Sequence, residues 1–211
     1  MVTTANKPDT IAAFSTPPGI SGIALLRLSG PDSVAIGDAV FTSGPLPGDG
    51  QRQEDRPLAL LANLQARFGY VHRPGLDEPI DQAVALRFVA PHSYTGEDVI
   101  EFSLHGGQQV RQAFLAACLE AGARAAGPGE YSRRAFMNGK LDLAEAEAVM
   151  DLIDADAGKS AEAALRQLSG QLSRRIAAVR ESLYSLTAAL EVGIEYPEYE
   201  DFQLRDEEIP R

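Results

Sequence analysis

The chain has 211 residues, 45% of them hydrophobic and 23% charged, with a formal net charge of −11. That length supports one good core, or one core and a smaller helical unit. The acidic balance argues against a broad basic face for nucleic acid, so any RNA phosphate contacts are expected to come mainly from a partner. The single cysteine, Cys118, excludes an internal disulfide. With no apolar run of membrane-spanning length and no signal-like N-terminus, the expectation is a soluble, cytoplasmic protein.

Taken in chain order, the first half reads as short strands with two helices. Apolar runs at 10–14 and 23–28 flank Thr16-Pro17-Pro18-Gly19, which cannot continue a ladder. Ser29-Gly30-Pro31-Asp32 opens a helix to about residue 41, with Pro31 near its first turn. Residues 42–57, rich in Gly, Pro and charge, read as an exposed loop. Strands are expected near 68–71, 83–89 and 99–104, then a helix over 108–120. Within that helix Cys118 shares a core spacing with Phe114, Leu115 and Leu119, so it reads as a buried small hydrophobe, with a reactive thiol as the minority alternative. This mixed order indicates an α+β sheet domain.

The composition changes after Gly122, giving expected domains at 1–122 and 123–211. Pro128-Gly129-Glu130 starts a short helix that Asn138-Gly139 stops. From Asp142, apolar residues recur at helical spacing (Leu143, Ala146, Val149, Met150, Ile153), and a second run extends from Leu165 to Leu190. Gly170 reads as a tolerated weak point inside that run, at roughly 1 kcal/mol. The helices are expected to stop at Tyr196-Pro197, before an acidic tail. Stripes of this kind suit a plain helical hairpin equally well. Either way they want partner helices, from further sequence or another subunit.

No G-x-x-x-x-G-K-[ST] phosphate loop, Cys-x-x-Cys or G-x-S-x-G occurs, and His72, His92 and His105 lack metal-ligand spacing. Neither a catalytic set nor a metal site is expected. Three local patterns remain. In residues 23–28, Arg27 shares a face with Ile23 and Leu25, and a guanidinium there needs an anionic partner. In residues 93–107, Glu101 shares a face with Val99 and Ser103, opposite Ile100, Phe102 and Leu104. A fixed carboxylate there can accept two parallel N–H bonds from a planar heterocycle. In residues 129–143, Lys140 follows a turn. Two readings stand: Arg27 and Glu101 neutralise each other across the sheet, or they face a ligand. Likewise Lys140 is either a solvated lysine or an anion contact, Arg133 and Arg134 a surface cover, and His105-Gly106-Gly107 a strand-to-helix turn or a catalytic histidine.

Together, DTIAAFSTPPGISGIALLRLSG (9–30), PHSYTGEDVIEFSLHGG (91–107) and GPGEYSRRAFMNGKLDLAEAEAVMDLIDA (127–155) resemble the MnmE (TrmE) family of tRNA-modification GTPases. A weaker resemblance continues through AALRQLSGQLSRRI (163–176) to GIEYPEYED (193–201). The resemblance implies a mixed-sheet, tetrahydrofolate-binding-like N-terminal domain that forms a homodimer, followed by the first part of an all-α helical domain. Arg27, Glu101 and Lys140 match the family's folate-binding positions, for 5-formyl- or 5,10-methylene-tetrahydrofolate. It further implies work with the flavoprotein MnmG (GidA) in a heterotetramer, on C5 of the wobble uridine of certain tRNAs. The product group is aminomethyl or carboxymethylaminomethyl, the carbon comes from the folate, and GTP hydrolysis with potassium and magnesium drives the cycle. The GTPase domain, the closing helices and a terminal cysteine motif of the family have no counterpart here, so this chain is expected to bind folate and dimerise, not to hydrolyse GTP. One departure is Ile20, where many relatives carry a charge.

Overall fold

The computed structural model describes residues 9–44, 57–76, 78–155 and 158–195, and divides the chain into compact units at 1–140 and 141–211. The first unit runs β1 (Ile11–Phe14), β2 (Ser21–Ser29), α1 (Ser33–Val40), β3 (Phe41–Ser43), a 3-10 turn (Leu58–Leu60), β4 (Gln65–His72) and β5 (Pro79–Phe88), then β6 (Val99–Gly106), α2 (Gln108–Glu120), β7 (Arg124–Ala125) and α3 (Glu130–Met137). Among the described residues, seven strands form one sheet in the order β3-β4-β5-β6-β2-β1-β7. All pairs are antiparallel except β1 with β7, so the sheet is mixed and the unit is α+β.

Strict alternation sorts the central strands into two faces. Ala24, Leu26 and Leu28 of β2 lie beside Ile100, Phe102 and Leu104 of β6 in the register, and all are buried. They pack with Ile36 and Val40 of α1 and Phe114, Ala117 and Cys118 of α2, where the rings of Phe102 and Phe114 meet edge-on at 5.1 Å. Burial pushes the Cys118 thiol up to about 12, so it is a core group. The opposite face is more open: Ile23 is 67% and Phe68 54% exposed.

Several expectations shift. The first helix begins after Asp32 and ends at Val40, leaving Pro31 outside it, because Phe41 joins β3 and pairs with Val71 of β4. Most of the expected loop, 45–56, lies outside the described residues. The helix at 108–120 has the bounds the sequence indicates. The chain divides after Lys140, although its composition changes after Gly122. Between those points β7 adds to the sheet edge, and charged side chains bind α3 to β7, to Asp9 before β1 and to Glu97 before β6.

The second unit holds α4 (Leu143–Ile153), α5 (Gly158–Leu168) and α6 (Gln171–Glu195). Asp142 and Glu145 close a reciprocal capping box at the start of α4, which fixes where that helix begins. Gly170 is not a weak point within one helix. Its φ of +72° is the left-handed conformation that glycine tolerates best, and it separates α5 from α6. Gln167 Nε2 donates to the Ala144 carbonyl and ties α5 to α4. Apolar side chains of α6 such as Ile176, Val179 and Leu183 remain more than half exposed. The expected stop at Tyr196-Pro197 and the acidic tail lie outside the described residues.

Candidate functional site

The register of β2 on β6 sets Arg27 directly opposite Glu101, so both side chains emerge on the open face of the sheet. Arg27 Nε donates to Glu101 Oε1 at 2.7 Å, and Nη2 reaches the same oxygen at 2.6 Å. The side chains are only 21% and 13% exposed, so the charges need one another. The bond is nevertheless lopsided. Two nitrogens converge on one oxygen, and among the described residues Glu101 Oε2 and Arg27 Nη1 have no protein partner. The carboxylate and the guanidinium thus each keep one polar atom without a protein partner among the described residues, an acceptor and a donor open to a polar ligand.

Two aromatic rings frame the guanidinium. Its central carbon lies 5.4 Å from the ring centroids of both Tyr94 and Tyr131, within cation–π range. Tyr131, on α3, donates to Arg27's own carbonyl at 2.7 Å, and burial pushes its phenol pKa up. Tyr94, on the loop before β6, shares a 2.8 Å hydrogen bond with Ser132 of α3. The alternation of strand residues gave no sign of either tyrosine; only their place within the motif stretches pointed to this neighbourhood.

That loop is held to α3 at several points. Asn138 Nδ2 donates to the Thr95 carbonyl at 2.7 Å, and buried Ser29 bonds both Thr95 Oγ1 and Glu97 Oε2. Lys140 Nζ donates to the Pro91 carbonyl at 3.1 Å and is exposed there. It therefore contacts the same loop as Tyr94, while Arg27 and Glu101 contact each other.

Arg134 is not the surface cover its sequence neighbourhood indicates. It is 13% exposed and reaches Asp9, Glu97 and Glu130, whereas Arg133 is 72% exposed. Glu130 sits at the centre, 4% exposed, taking two bonds from Arg124 at 2.6 and 3.1 Å and one from the Gly127 amide at 2.8 Å. The Arg124 bonds first, then Gly127 and Arg134, hold its carboxyl down to about 2 against the desolvation that opposes them. His105 pairs with Asp81 at 2.8 Å and lies 68% exposed near the end of β6, two residues before Gly107 at the start of α2. No group of three or more metal-ligating side chains is gathered among the described residues.

Residues 10–140 match the family model described as the GTP-binding protein TrmE N-terminus, and residues 143–210 match the MnmE helical domain. A tRNA modification GTPase MnmE of Symbiobacterium thermophilum is 43% identical over 200 residues, 94% of this chain and 42% of the relative. Its counterpart in Thiobacillus denitrificans is 45% identical over 194 residues, 92% of this chain and 40% of the relative. That of Enterococcus faecalis is 43% identical over 195 residues, again 92% and 40%. The chain spans about two fifths of the length of these curated relatives. No helix among the described residues is long and apolar enough to cross a membrane. With two consecutive family models matched in order, the chain belongs to the MnmE family of tRNA modification GTPases.

Proposed function

We propose that this chain is the folate-binding and dimerising part of an MnmE-type enzyme, and that Arg27, Glu101 and Lys140 bind a reduced folate, 5-formyl- or 5,10-methylene-tetrahydrofolate. The observation that carries the reading is the half-used ion pair: a nearly buried Arg27–Glu101 bridge that leaves Glu101 Oε2 and Arg27 Nη1 unengaged. A pterin ring offers adjacent ring and exocyclic N–H groups that suit a carboxylate edge. Lys140, exposed on the neighbouring loop, suits a formyl or glutamyl oxygen. The bound folate would supply the one-carbon unit, while this chain's residues bind and orient it.

In the whole protein this part acts with the flavoprotein MnmG in a heterotetramer. The carbon goes to C5 of the wobble uridine of certain tRNAs, as an aminomethyl or carboxymethylaminomethyl group. GTP hydrolysis, with magnesium and potassium, belongs to sequence outside this chain, and the complex works in the cytoplasm. Self-association is supported by the open sheet face, where Ile23, Phe68 and Val84 stand exposed together.

Calorimetry with 5-formyltetrahydrofolate tests the site. Glu101→Gln keeps the shape but turns an acceptor into a donor, so affinity should fall about ten- to a hundredfold. Parental affinity in that variant would leave the Arg27–Glu101 bridge as a structural pair and remove the folate reading.

A further inference from the structure

Arg27 is a long, flexible side chain, and its bond to a single oxygen of Glu101 does not by itself fix the plane of the guanidinium. Contacts with neighbouring side chains have to hold it in the one orientation that keeps its Nε and Nη2 edge on Glu101 Oε1. Tyr131 is anchored from below: it is largely buried and hydrogen-bonded to the β2 backbone. Tyr94 is different. Its ring is 37% exposed, it lies on a loop, and one hydroxyl bond to Ser132 of α3 joins its far end to the rest of the unit.

Resting on the folate reading above, we infer that Tyr94 is a positioning residue of the site. Its ring, held in place by Ser132, keeps the Arg27 guanidinium in the orientation that engages Glu101 Oε1 and leaves Glu101 Oε2 free for a ligand. Three contacts converge on this role. The guanidinium lies over the Tyr94 ring at 5.4 Å, where the ring's negative face attracts it. The hydroxyl bond to Ser132 prevents the ring from rotating out into solvent. The backbone beside Tyr94 is pinned by the Asn138 bond to the Thr95 carbonyl and by the Ser29 bond to Thr95. The ring therefore has a rigid base and a tethered tip.

The test is 5-formyltetrahydrofolate affinity in Tyr94→Leu and Ser132→Ala, with Glu101→Gln alongside. Tyr94→Leu removes ring and tether, and should weaken binding about tenfold. Ser132→Ala removes the tether alone and should weaken it about threefold, as loss of one neutral hydrogen bond. The Arg27 Nε–H resonance should also shift in Tyr94→Leu as that ring's current is lost while the one from Tyr131 remains, a change that loss of stability elsewhere does not produce. Parental affinity in either folded variant overturns the inference; if Tyr94→Leu fails to fold, Ser132→Ala decides alone. If Glu101→Gln weakens binding while these two do not, only the role of Tyr94 falls. If Glu101→Gln is also parental, the folate reading falls with it.

Discussion

Removing the charge of Glu130 should loosen α3 from the sheet without unfolding the unit. In the fold this carboxyl is held down to about 2, against an ordinary value of 4.5, chiefly by Arg124. At 4% exposure little solvent screens it, and the shift corresponds to about 3 kcal/mol of stabilisation at neutral pH. Because the folded value is depressed, that contribution is complete above about pH 4.5 and fades as pH falls towards 2. Glu130→Gln keeps the volume, and Arg124 and Arg134 retain Asp9 as a partner, so the net cost should be about 2–3 kcal/mol. Native-state hydrogen exchange reads it at the amides of Arg133 in α3 and of Asn138 and Lys140 just after it, which donate to Gly129, Arg134 and Ala135. Their protection should fall about 30- to 150-fold at neutral pH, while amides of β2 and β6 stay nearly parental. The variant should also lose the Glu130 share of the acid-dependent loosening expected between about pH 4.5 and 2, leaving the share of Asp9, which the same arginines hold down. Parental exchange at those three amides, or an unchanged acid dependence, would refute the reasoning.

Gly69→Ala should destabilise the sheet edge by about 1–3 kcal/mol, because its methyl would lie 2.3 Å from the Thr42 carbonyl oxygen and 2.5 Å from the Phe41 ring. A thermal midpoint equal to the parent's would contradict that close approach. Light scattering at micromolar concentration should give about twice the 22.6 kDa mass of the chain, and Phe68→Glu on the open face should shift it to monomer. A parent that is folded yet strictly monomeric would count against self-association.

The parts of the fold that were legible in the sequence are those governed by local period. β6 alternates cleanly, and α2 keeps a core face from Phe114 to Cys118, so both could be read from spacing alone. β3 could not, because Val40-Phe41 continues an apolar helical run and only pairing with β4 draws Phe41 into the sheet. Gly170 presents the same difficulty: a glycine within a helical pattern does not announce whether its φ will be negative or positive. At the site, each of Arg27 and Glu101 was conspicuous as a charge in an apolar strand, but their contact depends on a strand register linking positions 74 apart. Arg134 was opaque for the same reason, since Asp9 lies 125 residues away and Glu97 37. Tyr94 and Tyr131 have no period to betray them, and their part emerges only once β2, the loop and α3 meet.

The attachment of α3 differs in kind from what holds the sheet to α1 and α2. Of its eight residues only Glu130 and Ala135 are buried, and ion pairs and hydrogen bonds do most of the fastening. The sheet and its two helices, by contrast, are cemented by a continuous apolar cluster. The two fastenings respond to solution in opposite senses. Sulfate strengthens apolar burial through exclusion from the surface, yet as an electrolyte it screens the exposed Arg124–Asp9 pair. Such a salt is thus a handle that tightens the core of one small unit as it slackens its rim.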